Sequence, residues 1–198
     1  LKADVLLGEQ DLLRVGALFQ SYELQDYWTP SGGGMYPVVG ESITKNFENI
    51  KDGKRDRTAL FGEWESRFNP QWMSLLGVRY ERVVSDAGNV HGYSTVAVNQ
   101  TVDAAQNHKR TDNNWDMTAL ARYTANTNTD IEFGFARKTR SPNLYERYTW
   151  STWQMAALMN NFVGDGNGYV GNVDLKPEKA HTLSATFDWH AADRNWGF

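Results

Sequence analysis

Apolar and polar residues alternate with period two along most of this chain, and the alternating segments are joined by connections that are short and long in turn. Residues 57–68 and 71–84 show the pattern best, with Asn69-Pro70 as the whole turn between them. In the first, Leu60, Trp64 and Phe68 share one face, and Glu63, Glu65 and Arg67 share the other. In the second, Trp72, Leu76, Val78 and Tyr80 lie opposite Arg79 and Glu81, whose face also carries Met73, Leu75 and Gly77. The same reading predicts strands over 2–7, 12–24, 115–124, 129–140 and 180–190. Trp115, Met117, Ala119, Ala121 and Tyr123 align on one face of their strand, as do Ile131, Phe133 and Phe135, and Leu183, Ala185, Phe187 and Trp189. Asp116, Arg122, Asp130, Glu132 and Lys138 point the other way. The connections 8–11, 69–70, 125–128 and 191–194 are tight, whereas 25–54, 85–114 and 141–179 are long and rich in Gly, Asn and Asp.

Hairpins with tight turns at one end and long loops at the other are the build of an outer-membrane barrel. The predicted fold is therefore all-β: an antiparallel transmembrane β-barrel segment of about seven to eight strands, with short periplasmic turns and long extracellular loops. The alternative is a soluble all-β protein with aromatic cross-strand pairs. Seven strands and a stub leave an open sheet, so the chain reads as a segment of a longer polypeptide; a self-contained eight-stranded barrel would need a last strand at 196–198.

Composition changes this picture little. The 198 residues are 40% hydrophobic, mean hydropathy is −0.61, and no apolar run reaches the roughly 18 residues of a transmembrane helix. A barrel needs none, because only alternate residues of each strand meet lipid. The 8 Trp, 9 Tyr and 9 Phe suit the aromatic girdles at the two membrane interfaces. A net charge of −4 gives no reason to expect a nucleic-acid partner, and the lack of Cys excludes disulfides and thiolate metal sites.

Candidate chemistry is sparse. His91, His108, His181 and His190 show no metal-ligand spacing, and no nucleophile motif stands out. Met155 and Met159, four apart, would share one face of a short helix, where thioethers suit a soft ion such as Cu(I) or simply pack the loop. Trp150 and Trp153 either face a hydrophobic chelate or anchor the loop. Asp165-Gly166-Asn167-Gly168-Tyr169 matches part of a calcium loop but has Tyr at the third ligand position, and a turn is the better reading. Basic residues within 51–57 and 137–140 sit at outer strand ends, within reach of lipopolysaccharide phosphates or anionic chelates. The charges on the polar strand faces are expected to line the inner wall and to pair with whatever fills the barrel.

The stretch 140–147, Arg-Ser-Pro-Asn-Leu-Tyr-Glu-Arg, followed by 171–178, Gly-Asn-Val-Asp-Leu-Lys-Pro-Glu, resembles the barrel of TonB-dependent outer-membrane receptors. In that family an Arg-x-Pro opens an extracellular loop and a Gly-Asn-x-x-Leu-x-Pro-Glu leads into the next strand; here these are Arg140, Pro142, Leu144 and Glu146, then Gly171, Asn172, Leu175, Pro177 and Glu178. The chain departs from the family at Ser184 and Thr186, where members often carry Glu and Gly. Pro142 and Pro177 remove ladder donors where strands leave and re-enter the sheet, so the motif is expected to shape the loop rather than touch ligand.

The resemblance implies a location in the bacterial outer membrane and a barrel of about 22 strands. It also implies a plug domain of the same polypeptide, expected outside these residues along with the segment that contacts TonB. On this reading residues 1–198 are a partial barrel domain in contact with membrane lipid and lipopolysaccharide. The implied substrate is a metal complex, a siderophore chelate or a metal ion such as copper, taken up with TonB-coupled energy and without a resident cofactor or enzymatic step. An outer-membrane enzyme or a passive porin on a small barrel is the alternative; the first would need a clustered nucleophile and base, the second no plug.

Overall fold

In the computed structural model the described residues are 1–29, 46–90, 106–152, 154–161, 163–193 and 195–197. They form one antiparallel sheet in which each strand pairs with its sequence neighbour: β1 (Lys2–Leu6), β2 (Asp11–Trp28), β3 (Phe47–Arg67), β4 (Trp72–Asp86), β5 (Arg110–Asn126), β6 (Thr129–Arg140) and β7 (Glu178–Trp189). Two short helices, α1 (Leu144–Tyr148) and α2 (Gln154–Met159), lie in the connection between β6 and β7. Asn69 makes the β3–β4 turn tight by accepting the N–H groups of Gln71 and Trp72 on its side-chain oxygen.

Strand register turns the alternation of each strand into a continuous face. Leu13 pairs with Trp64, Trp64 with Leu76, Leu76 with Ala119, Ala119 with Phe135 and Phe135 with Leu183. This face is apolar and uncovered: Leu60 is 61% exposed, Phe133 60% and Leu183 84%. An exposed apolar sheet face of this extent is what lipid contact requires. Trp72 lies tilted against Tyr123 (4.7 Å between centroids) and Tyr80 against Trp115 (5.0 Å), so two aromatic pairs bracket Leu76 and Val78 on β4. The nine residues from Trp72 to Tyr80 span about 26 Å along the strand, the order of the apolar band of an outer-membrane barrel, about 25 Å tall.

The strands run well beyond that band. β2 extends to Trp28 and β3 begins at Phe47, where the sequence pattern predicts a loop over 25–54; β4 runs to Asp86 and β5 begins at Arg110, inside the predicted loop 85–114. The physical reason is a reversal of polarity. Above the band the outward positions are polar, with Ser21 bonded to Asp56 (2.6 Å) and Lys54 beside Glu23 (3.6 Å), whereas Val83, Ile50 and Phe47 are buried on the inner side. The pattern keeps its period but exchanges its faces. The change is accompanied by register shifts between Leu24 and Tyr27, and by Asp52 in the left-handed region (φ 49°), held by a reciprocal pair of hydrogen bonds with Gln25.

Candidate functional site

The connection from β6 to β7 folds back over the inner side of the sheet at its long-loop end, and the residues of the Arg-x-Pro and Pro-Glu motifs explain how. Pro142 ends β6, and Asn143 then caps α1: its side chain accepts the Glu146 N–H (2.8 Å) while Glu146 accepts the Asn143 N–H (2.7 Å). Glu146 also receives Arg140, whose guanidinium bonds it at 2.9 and 3.0 Å and Glu178 at 2.9 and 3.0 Å. Departing and returning strands are thus clamped through one side chain. Burial raises the Glu146 carboxyl, but Arg140 and the Asn143 N–H outweigh it and hold the group below the usual value.

Gly171 lies against the α1 backbone, where an added Cβ would stand 2.8 Å from Arg147 and Thr149 carbonyl oxygens, so only glycine permits the approach. Asn172 N–H donates to the Glu146 carbonyl (2.9 Å), and Asn172 accepts from Asp174 N–H (2.9 Å) and Leu175 N–H (3.1 Å) through its side chain and carbonyl respectively. Pro177 precedes β7. These motif residues build the loop.

The loop is fastened by a buried charge pair. Arg147 is 1% exposed and donates to Ser85 of β4 (2.8 Å), Asp112 of β5 (2.9 Å) and the Leu175 carbonyl (2.9 Å). Around it Leu144, Tyr148, Trp150, Ala156 and Val173 pack with Phe47 and Ile50 of β3 in the main hydrophobic core of the described residues. Trp28, Phe47 and Trp150 stack in series at 4.7 and 5.2 Å.

Beside this core Asp26, Trp28, Asn49, Tyr145, Met159, Asn160 and Asn161 line an open cleft of about 310 Å³. Asn49, fully buried, donates to Asp26 (2.7 Å) and Asn160 (3.0 Å). Burial and the neighbouring Asp26 carboxylate push the Tyr145 hydroxyl up to about 12, so it stays a hydrogen-bond donor. Met159 lies on this cleft; Met155, one helical turn earlier on α2, is exposed as well. Trp150 does not face the opening. It is 4% exposed and its indole N–H donates to the Glu48 carbonyl (2.8 Å). Trp153 and His91 lie outside the described residues. The Asp165 segment is a turn in which Asp165 accepts Asn167 and Tyr169 (2.6 Å) from within the loop.

Along the inner wall the charges pair with one another. Arg14 bonds Glu63 and Glu65 at 2.8 Å each, Arg57 and Arg79 share Glu81 at 2.7 and 2.9 Å, and Arg122 bonds Glu132 at 2.8 Å. Their expected pairing with a barrel filling is therefore not needed to satisfy them. The basic stretches are divided by the strand alternation: Lys54 faces outward with Glu23, whereas Arg57 faces Glu81 and Arg140 clamps the loop. The buried arginine, paired across elements 35 and 62 residues away, carries no local signal in the sequence.

An apolar outer face, an ion-paired inner wall and strands overrunning the membrane on the long-loop side define a segment of a transmembrane β-barrel. The family model described as "TonB dependent receptor-like, beta-barrel" matches residues 1–198, and the chain belongs to that family of bacterial outer-membrane barrels. Among solved structures it is similar to one titled "Copper transporter OprC", with a TM-score of 0.62 at 14% identity, over 93% of this chain and 26% of that one. That likeness is one of fold, and the chain spans about a quarter of that transporter's length. No curated protein matches.

Proposed function

We propose that this chain is part of the wall and outer vestibule of a receptor that captures a metal complex and imports it with energy coupled through TonB. The observation that carries this reading is the placement of the β6–β7 loop. It is folded inward and latched by Arg147, and it leaves a cleft of about 310 Å³ at the mouth of the lumen. A cleft at a fastened loop gives a solute a place to dwell before it passes inward, and the family matched over residues 1–198 is one of receptors. On this reading β1 and β7, each paired on one side only among the described residues, continue into further strands of the same polypeptide. A plug fills the lumen, TonB engages outside these residues, and the outer rim meets lipopolysaccharide.

For the substrate, the thioethers of Met155 and Met159 and the carboxylate of Asp26 suit a metal ion or its complex, with copper favoured by sulfur. The fold shared with a copper transporter agrees with that choice. The test is growth of a deletion strain limited for iron, supplied as chelates, or for copper. Loss of growth on one metal only identifies the cargo, and unimpaired growth on all of them would sink the import reading. Replacing Met155 and Met159 by Leu in the restored strain is expected to lower copper uptake severalfold at limiting copper, with the amount of receptor in the membrane unchanged.

A further inference from the structure

At the opposite, short-turn end of the wall, Asp130 of β6 and Asp188 of β7 sit directly across from each other in register. Like charges in that position destabilise a sheet unless something positive lies between them. The third group there is His190, whose side chain is only 10% exposed. Its Nδ1 lies 3.0 Å from the Ala191 carbonyl oxygen, and a carbonyl only accepts, so Nδ1 carries the hydrogen. In the neutral ring Nε2 is then a lone pair. It stands 3.6 Å from Asp130 Oδ2, a contact that is an ion pair only when the ring is protonated. The other Asp130 oxygen is occupied by the Thr124 hydroxyl at 2.6 Å. One donor atom from each of Asp130, Asp188 and His190 lies within 4.8 Å of the other two. A cavity of about 230 Å³, lined by Arg122, Asp130, Glu132, Thr186 and Asp188, opens beside the two carboxylates.

From this geometry we infer that Asp130, Asp188 and His190 form a binding site for a divalent first-row transition ion such as Cu²⁺ or Zn²⁺ at the periplasmic rim of the inner wall. One imidazole and two carboxylates are a borderline donor set that favours such ions. The bond from Nδ1 to Ala191 is the outer partner that fixes a metal-binding imidazole in its tautomer and orientation. Donors at bonding distance to one ion stand about 3.4 Å apart, so side-chain rotation of the order of 1 Å closes the set. Arg122, the nearest opposing charge, is already engaged by Glu132 at 2.8 and 3.1 Å. The site is at the other end of the strands from Met155 and Met159, and it does not depend on what the receptor imports.

The test is titration of the full-length receptor in detergent with Cu²⁺ and, separately, Zn²⁺, following heat on binding and the electron paramagnetic resonance of Cu²⁺. The site predicts one equivalent of ion and a copper signal split by a single nitrogen. His190→Ala is expected to remove both that equivalent and the splitting, and Asp188→Asn, which keeps the strand pairing, to weaken binding by about tenfold or more. His181→Ala, toward the far end of the same strand, is expected to change neither. Equal metal uptake by wild type and the His190→Ala variant, or a nitrogen splitting that survives in that variant, would overturn the assignment. If His190→Ala fails to insert, Asp188→Asn decides alone, and unchanged affinity in it counts against the site.

Discussion

The lower and upper halves of β3 belong to the same strand yet are built on opposite rules. At Leu60 and Trp64 the apolar side chains face out, and the inner face between them carries Phe61 and Glu63, the latter paired with Arg14. Between Phe47 and Ile50 the apolar side chains are buried on the inner side, and nearer the band Lys54 and Asp56 carry charge on the outer face. The lower half has lipid outside and water or protein inside, whereas the upper half has water outside and its own loop inside. Which face of a strand is hydrophobic is therefore set by its surroundings at each depth. The lower wall keeps its inner charges in pairs that remain partly open to solvent; the upper wall buries the pair that Arg147 of the loop makes with Asp112 of β5.

That contrast predicts where substitutions will hurt. Arg147→Ala leaves Asp112 buried without its partner and is expected to cost about 3–5 kcal/mol of loop docking. The measurement is protease sensitivity of the β6–β7 loop in intact cells, where cleavage should rise while the barrel stays folded. Leu76→Arg, between the two aromatic pairs, is expected to cost about 2–4 kcal/mol in a folding titration into lipid vesicles. Thr111→Arg, exposed on the outer face above the band and across from Val84, should cost almost nothing, and a similar penalty at both sites would erase the proposed membrane boundary.

Breaking an inner-wall pair should matter less. Arg122→Ala is expected to change stability by at most about 1 kcal/mol, because that pair is half exposed. The smallest effect is in pH. The folded Glu146 carboxyl lies below its unfolded value of 4.5, so its contribution is fully present above that value and is lost as pH falls through the lower, folded one. Loop protection from protease should therefore weaken only below about pH 4.5, and Glu146→Gln should reduce that dependence to the share held by Glu178 of the same clamp.

The sequence disclosed the lower wall well, for a physical reason. Lipid tolerates few exceptions, so Trp72, Leu76, Val78 and Tyr80 repeat with only Ser74 interrupting them, and β6 has the predicted bounds 129–140. The upper ends of β2 to β5 were hidden because the alternation changes phase there and the outward residues read as loop. The motif residues Arg140 to Glu178 were legible as loop builders, and the helix carrying Met155 and Met159 was legible from their spacing. Arg147 was not, since its meaning lies in Ser85 and Asp112, brought to it only by the sheet. The same holds for Asp130 and Asp188, which strand pairing alone makes neighbours.

The bonds of the inward loop also decide how it answers to force. Beyond the Arg140 clamp at its base, Arg147 ties it to β4 and β5 and Trp150 ties it to the β3 backbone, so these further anchors fall on strands other than the two it connects. A tug on the loop tip is consequently spread across three neighbouring strands and does not peel β6 from β7 one rung at a time. A large cargo pressing on the mouth would meet a brace spanning the wall.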